Sequence, residues 1–108
     1  MRKLVIQTDF GTGSSSVAAM HGVSYMVCED LVVENINNDV AQFNVLDASE
    51  SLMYQLPYWP AGSVFVSVVD PGVGTSRKSC VAKLTNGHYI VTPDNGTLTY
   101  IVENGLVE

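Results

Sequence analysis

Three apolar segments of this sequence end in the same way, with an aspartate followed closely by a glycine. KLVIQT leads into Asp9-Phe10-Gly11, SVFVSVV into Asp70-Pro71-Gly72, and HYIVTP into Asp94-Asn95-Gly96. Runs of β-branched and aromatic residues are typical of buried strands, and the glycines end regular structure. Open α/β sheets bind ligands at the carboxyl ends of their strands, so three such junctions predict one ligand-binding edge.

The composition indicates one small globular domain. Of its 108 residues, 46% are hydrophobic and 15% are charged, which suits one modest core and is unlike a disordered chain. No apolar run is long enough to cross a membrane, and the N-terminus lacks the apolar region of a signal peptide. Cys28 and Cys80 lack metal-ligand spacing, so we expect two reduced thiols and a cytoplasmic protein.

The charge balance disfavours some classes of partner. The formal net charge is −6, and after Arg2 and Lys3 the next basic residue is Arg77. Such a chain has no basic surface for a phosphate backbone, so we expect no nucleic-acid partner and no membrane partner. Acidic strand ends favour a neutral or cationic small molecule.

Apolar patterning alternates between strand and helix along the chain, without repeats or low-complexity segments. This alternation predicts an α/β fold: a mostly parallel sheet with flanking helices and an added β-hairpin around Thr85-Asn86-Gly87. A final segment, 97–103, is compatible with a short helix or a strand. The predicted strands are 3–8, 31–36, 63–69, 79–84 and 88–92, and the predicted helices are 15–28 and 44–56.

The first predicted helix begins after a serine cap, Ser14 or Ser15. Helical spacing predicts an inward side formed by Val17, Met20 or His21, Ser24, and Met26 or Val27. At the second helix Asn44 is most simply a cap. Phe43 before it is either a hydrophobic staple or an aromatic wall for a flat ligand.

Each candidate site also has a purely structural explanation. Asp9 with its glycines and Asp94-Asn95-Gly96 are both ordinary turn sequences. Asp70 and Arg77 suit a structural ion pair across a loop, and His21 and His88 suit packing or surface positions. The sequence FGTG lacks the full GxGxxG spacing of a dinucleotide site, and no P-loop lysine motif is present.

Taken together, TDFGTG, PYWPAGSVFVSVVDPGVGTSRK and YIVTPDNGTLT resemble the S-adenosylmethionine hydroxide adenosyltransferases, relatives of the fluorinating and chlorinating enzymes. The resemblance extends from residue 4 to about residue 101, and its middle motif is highly specific. It implies a parallel-sheet N-terminal domain followed by a smaller β-rich domain. It also implies a homotrimer, with each active site between two subunits.

The resemblance assigns roles to five residues. Asp70 and Arg77 match two of the three residues that position and activate water, the third being a histidine. Asp9 matches the carboxylate that holds the ribose hydroxyls, and Phe43 falls where an aromatic side chain contacts the nucleoside. Asn95 lies in a loop that lines the same region. S-adenosyl-L-methionine is then the substrate, and we expect no cofactor and no metal.

Three departures from the family pattern stand out. The family histidine and the C-terminal β domain fall beyond Glu108, so we expect residues 1–108 to be a single α/β domain taken from a longer protein. Taken alone, this domain is expected to be a poor catalyst. Ser14 stands where the family usually has an acid, and Asn38 stands where it usually has a histidine.

Three hypotheses about function follow. The favoured one is hydrolysis of S-adenosyl-L-methionine to adenosine and methionine by attack of water or hydroxide at the ribose 5′ carbon. A halide-using relative is the second, although the Asp70 carboxylate would repel a halide anion. The third is a non-catalytic module for nucleoside binding or assembly.

Overall fold

A computed structural model describes residues 3–72, 76 and 78–108 of the chain. Strands and helices alternate over most of this length, as the apolar pattern predicts. The strands are β1 (Lys3–Thr8), β2 (Val32–Asn37), β3 (Val64–Val68), β4 (Ser79–Lys83) and β5 (Tyr89–Pro93). The helices are α1 (Ser15–Val27), α2 (Val45–Gln55) and α3 (Thr99–Glu103), with a 3-10 turn at Leu56–Tyr58 after α2.

The five strands form one sheet in the order β2-β1-β3-β5-β4. β1 pairs in parallel with both β2 and β3, and β3 pairs in parallel with β5. Only β4 runs antiparallel, as the outer strand of the predicted hairpin with β5. The predicted α/β fold with a mostly parallel sheet and an added hairpin is therefore confirmed.

Local side-chain hydrogen bonds determine where the long helices begin. The Ser14 hydroxyl accepts from the Ser16 N–H at 3.1 Å, so Ser14 rather than Ser15 is the cap of α1. Asn44 caps α2 by accepting from the Asp47 N–H at 3.0 Å. These caps use backbone donors that have no partner within the helix. The ambiguous segment 97–103 contains the short helix α3.

The main core lies on the face of the sheet that α2 and α3 cover. Its centre is Phe65, whose ring meets Trp59 and His88 edge-on at centroid distances of 6.3 and 5.2 Å. His88 is only 2% exposed, which confirms packing as its role. The buried members of this core are Val5, Leu52, Leu56, Phe65, Ala82, Leu84, Ile90 and Ile101.

Helix α1 covers the other face of the sheet incompletely. Val17 is its one buried residue, whereas Met26 and Val27 are 85% and 84% exposed, so placing either of them on the inward side was wrong. A cleft of about 330 Å³ separates the helix from the sheet around Met20 and Ile6. The apolar residues of α1 are spread around the helix rather than confined to one stripe, so the sequence does not specify which of them face inward.

The last residues of the chain pair with the end of β4. Leu84 and Val107 form an antiparallel bridge, and the Glu108 N–H donates to the Lys83 carbonyl at 2.8 Å. A surface ion pair joins the Lys83 ammonium to the Glu108 carboxylate at 3.3 Å. The tail thus satisfies backbone groups at one end of an otherwise exposed edge strand.

We expect Leu52→Ala to lower the free energy of unfolding by about 2–5 kcal/mol, because Leu52 is fully buried and its truncation leaves a cavity. This is a large part of the roughly 5–15 kcal/mol typical of such domains. Urea unfolding followed by the fluorescence of Trp59, the one tryptophan of the sequence, measures the loss.

The matched control is Leu46→Ala, the same change on the same helix at a side chain that is 50% exposed. Its cost should stay below about 1 kcal/mol, since substitutions at exposed sites change stability little. Equal losses in the two variants would contradict the location of the core.

Candidate functional site

The three aspartates of the sequence pattern lie at one edge of the sheet. Thr8 of β1 is level with Val68 of β3, and the parallel pairing of β3 with β5 continues this alignment. Asp9, Asp70 and Asp94 follow the carboxyl ends of these three strands. The predicted common edge is therefore confirmed, and we call it the acidic edge.

The crevice of this edge lies between β1 and β3. After β1 the chain crosses to β2 on one side of the sheet, whereas after β3 it continues to the hairpin on the other side. The connections thus leave β1 and β3 in opposite directions, and the crevice at such a point of the strand order is where α/β sheets characteristically bind ligands. Asp9 and Asp70 flank this crevice.

Asp9 holds the loop that follows β2. One of its carboxylate oxygens accepts from the Phe43 N–H at 2.8 Å. Phe43 has φ 60°, in the left-handed region that residues other than glycine rarely adopt. Such strain is characteristic of functional sites and persists only where neighbouring contacts impose it. The Phe43 side chain is 55% exposed beside the crevice, which favours the aromatic wall over the staple.

A second link joins the loops that follow β1 and β2. Asp39 accepts from the Thr12 N–H at 3.0 Å and from the Thr12 hydroxyl. These two bonds, the hydroxyl first, lower the pKa of the Asp39 carboxyl below its ordinary value. Sequence analysis missed this pair, because no local pattern connects residues that lie 27 positions apart.

Asn38 is buried beneath the same two loops. Its side-chain oxygen accepts from the Thr8 hydroxyl at 3.0 Å, and its carbonyl accepts from the Gly11 N–H at 2.8 Å. Asn38 thus holds the ends of β1 and β2 together. Gly11 has φ 98°, so this turn requires a residue without a side chain.

Asp70 is 6% exposed, and its carboxylate accepts from the Gly72 N–H at 3.1 Å. This bond closes a tight turn directly after β3 and directs the carboxylate back toward its own backbone. Arg77, the predicted partner of Asp70 in water activation, lies outside the described residues. The role of the pair stays a prediction.

Asn95 reaches from the loop after β5 to the end of β3. Its amide nitrogen donates to the Val69 carbonyl at 2.7 Å. Its amide oxygen accepts from the Thr97 hydroxyl at 2.7 Å and from the Thr97 N–H at 3.2 Å. These bonds leave one amide hydrogen for a ligand, and substrate binding by Asn95 stays a prediction.

The core becomes polar just below the acidic edge. Gln7 is fully buried and donates to the Ala48 carbonyl at 3.1 Å and to the Ser67 hydroxyl at 2.9 Å. It thereby ties β1 to β3 and to α2. The sequence run KLVIQT gave no indication that its glutamine points into the core.

The two histidines lie away from the crevice. His88 precedes β5, at the opposite edge of the sheet, and one of its ring nitrogens contacts the Leu56 carbonyl at 2.9 Å. His21 lies on α1 and contacts the Asn35 side chain at 2.9 Å. Neither histidine is part of the acidic edge.

Neither a metal-binding cluster nor a membrane-spanning helix is present in the described part of the chain. Among residues 3–72, 76 and 78–108, no group of three His, Cys, Asp or Glu side chains could hold a metal ion. No helix in that part of the chain is long and apolar enough to cross a membrane. The expectation of no cofactor remains a prediction.

Comparisons with known proteins give a consistent result. The family model of the SAM hydroxide adenosyltransferase N-terminal domain matches residues 4–107. The (R)-S-adenosyl-L-methionine hydrolase of Methanocaldococcus jannaschii is 38% identical over 93% of this chain and 39% of its own length. That of Salinispora arenicola is 40% identical over 84% of this chain and 34% of its own length. A fluorinase from Actinopolyspora mzabensis is 24% identical over 97% of this chain and 43% of its own length.

A solved structure has the same fold. The crystal structure of an uncharacterized conserved protein from Thermotoga maritima superposes with a TM-score of 0.92 at 38% identity, covering 97% of this chain and 40% of that one. The present chain therefore spans about two fifths of the length of the relatives that it matches.

We expect Thr12→Val to raise the pKa of the Asp39 carboxyl, since the Thr12 hydroxyl is the largest cause of its lowering. The folded-state pKa lies below the unfolded one, so the pair stabilises the fold above the ordinary carboxyl pKa. This contribution is lost as the pH falls through the lowered value. NMR titration of the carboxyl carbons measures the shift.

Thr12→Ser keeps the hydroxyl and is the matched control for this change. Its Asp39 titration should coincide with that of the original chain. An unchanged Asp39 pKa in the valine variant would show that the hydroxyl bond does not form in solution.

Proposed function

We propose that this chain, which belongs to the SAM hydroxide adenosyltransferase family, supplies one side of the active site of an S-adenosyl-L-methionine hydrolase. The products are adenosine and L-methionine. The observation that carries the proposal is the pair Asp9 and Asp70, which flank the crevice between β1 and β3. The hydrolase relatives at 38% and 40% identity support it.

The chemistry requires an aligned nucleophile rather than an acid. The sulfonium group of the substrate leaves as a neutral thioether, so its departure needs no proton. Water is a weak nucleophile, and attack at the ribose 5′ carbon requires it to be in line with the carbon–sulfur bond. Orientation in a dry site lowers such barriers by several kcal/mol, and the reduction reaches about 7–11 kcal/mol in the best cases. No step in this scheme requires a metal or redox cofactor.

Asp70 is the group proposed to orient the water or accept its proton, with Arg77 stabilising the developing hydroxide. The near-complete burial of Asp70 supports this role, because a carboxylate removed from bulk water acts more strongly on a bound water. The turn bond from Gly72 fixes the side chain and reduces the reorganisation needed at reaction.

Asp9 is proposed to bind the two ribose hydroxyls. A carboxylate accepts from two adjacent hydroxyls, and charged acceptors form the stronger hydrogen bonds. In the chain itself one Asp9 oxygen is held by the Phe43 N–H, which orients the carboxylate before a ligand arrives. The same bond holds the exposed Phe43 ring beside the crevice, where it is available to a flat nucleoside base.

A halide-using enzyme is the second candidate, and the fluorinase relatives are its support. Their identity to this chain is 24%, against 38% and 40% for two hydrolases. In addition, the Asp70 carboxylate would repel a halide ion at the site proposed for water. Hydrolysis is therefore the preferred proposal.

The same proposal covers the localisation, the assembly and the partners of the protein. Cys28 and Cys80 are free thiols, in keeping with a cytoplasmic protein. The homotrimer implied by the family resemblance would close the crevice with a neighbouring subunit. A substrate of this kind needs no nucleic-acid or membrane partner, and the net charge of −6 suits a cationic sulfonium compound.

Product analysis in isotopically labelled water tests the reaction directly. The complete protein that contains this chain is incubated with S-adenosyl-L-methionine, with and without fluoride or chloride. Hydrolysis predicts adenosine labelled at its 5′ hydroxyl in every sample. A halogenated nucleoside would favour the second candidate, and unlabelled adenosine would exclude attack by water.

We expect Asp70→Asn and Asp9→Ala to separate turnover from binding. Asp70→Asn should lower kcat by about 10²–10⁴-fold with little change in KM, since its work is on the water. Asp9→Ala should weaken adenosine binding by about tenfold or more, since the ribose hydroxyls lose a charged acceptor. Steady-state kinetics and calorimetry measure the two effects.

Asp30→Asn is the charge-matched control, because Asp30 is exposed in the turn before β2, at the edge of the sheet away from the crevice. It should resemble the unmodified protein in both measurements. An unchanged kcat in Asp70→Asn would rule out the water-positioning role.

A further inference from the structure

We propose that Asn95 is a positioning residue for the reaction: it holds the backbone of Asp70 in place. The inference rests on the proposed function, and it assigns Asn95 a task other than contact with substrate. Its basis is the set of hydrogen bonds that the loop after β5 makes to the loop after β3.

The first of these bonds fixes the residue directly before Asp70. The Asn95 amide donates to the Val69 carbonyl at 2.7 Å, and Val69 is the residue directly before Asp70. Val69 is fully buried in a small cluster with Val40 and Ala48. Because a carbonyl is rigidly coupled to the next residue through a planar peptide, fixing the Val69 carbonyl also fixes the backbone of Asp70.

The second bond is made to the residue directly before β4. The Asp94 N–H donates to the Lys78 carbonyl at 2.6 Å. Two consecutive residues of one loop therefore contact Val69, directly before Asp70, and Lys78, directly before β4. We call Asp94 and Asn95 the β5 clamp.

The clamp is itself held rigidly. Thr97 is fully buried and donates twice to the Asn95 oxygen, which prevents the amide from rotating. Gly96 has φ 95°, and a side chain there would meet Thr99 and Val45 at 3.5 Å. The following helix is anchored by the Tyr100 N–H, which donates to the Ser49 hydroxyl of α2 at 3.0 Å.

The hydrogen bonds that Asn95 makes within the chain favour a positioning role over direct contact with the substrate. Both acceptor positions of its oxygen and one of its two amide hydrogens are occupied by the chain. A substrate would find one remaining hydrogen. By contrast, a displacement of about 1 Å at Asp70 is enough to lower turnover strongly, because catalysis depends on the alignment of the attacking water. The clamp should therefore act on kcat rather than on KM.

The test uses two independent measurements, amide hydrogen exchange and steady-state kinetics. Amide hydrogen exchange on the 108-residue chain reports the clamp without requiring activity. Asn95→Ala should increase exchange of the Gly72 and Asp94 N–H groups by about tenfold while that of Ile6 in β1 stays unchanged. In the complete protein, the same change should lower kcat about tenfold or more and leave KM within about twofold.

Asn104→Ala is the matched control. Its amide also donates to a backbone carbonyl at 2.7 Å, that of Tyr100, but at the far end of α3. It should change neither the exchange of Gly72 nor kcat. If it lowers kcat as much as Asn95→Ala does, a general loss of stability explains the effect and the proposal is overturned.

A second pair of variants covers the case in which Asn95→Ala does not fold. Thr97→Val removes the hydroxyl that orients the Asn95 amide but keeps the side-chain shape, and Thr97→Ser keeps the hydroxyl. The valine variant should show the faster Gly72 exchange and the lower kcat, and the serine variant should recover both. Equal behaviour of the two would overturn the proposal.

The two proposals remain distinguishable. If the unmodified complete protein releases no adenosine from S-adenosyl-L-methionine, the proposed function fails, and hydrogen exchange alone then decides whether the clamp exists. If the protein is active and Asn95→Ala raises KM without lowering kcat, Asn95 contacts substrate directly and the positioning role is wrong.

Discussion

The parallel pairing of β1 with β3 is the constraint on which the candidate site depends. These are neighbouring strands whose following segments leave in opposite directions, so their carboxyl ends cannot be covered by their own connections. Register then places Asp9 and Asp70 on either side of one opening. Buried Gln7 reinforces this pairing by joining both strands to α2 through side-chain hydrogen bonds. The chemistry of the site is thus a consequence of strand order.

Hydrogen bonds between loops fix the positions of the segments around this opening. The loops after β1 and β2 are joined by Thr12 with Asp39, and those after β3 and β5 by Asn95 with Val69. Each bond crosses between loops of different strands, so no loop is positioned by its own sequence alone. The acidic edge is consequently held as two pairs of linked loops, one on each side of the crevice, although it consists almost entirely of irregular structure.

Local patterns were enough to predict the strands, the cap at Asn44, a serine cap at Ser14 or Ser15, and the shared edge of the three aspartates. Each of these follows from residues that are close in sequence or from parallel topology. The Thr12–Asp39 pair, the strained Phe43 backbone and the Asn95 bonds were not predictable, because they depend on contacts between distant segments. The exposure of Met26 and Val27 was missed for another reason: the apolar residues of α1 are not confined to one stripe, so their spacing does not separate the inner side of the helix from its outer side.

The hydrogen bond from the Phe43 N–H to Asp9 makes one carboxylate responsible for two tasks. The Asp9 carboxylate offsets the cost of the left-handed backbone at Phe43, and it is also proposed to bind the ribose hydroxyls. Loop order and ligand affinity are therefore thermodynamically linked at this position, and by reciprocity a ligand that draws on Asp9 alters the stability of the loop that bears Phe43. A substitution at residue 43 that changes its backbone conformation is then expected to change the affinity for the sugar as well. A redesign of this pocket for another nucleoside has to treat Asp9 and Phe43 as a single unit.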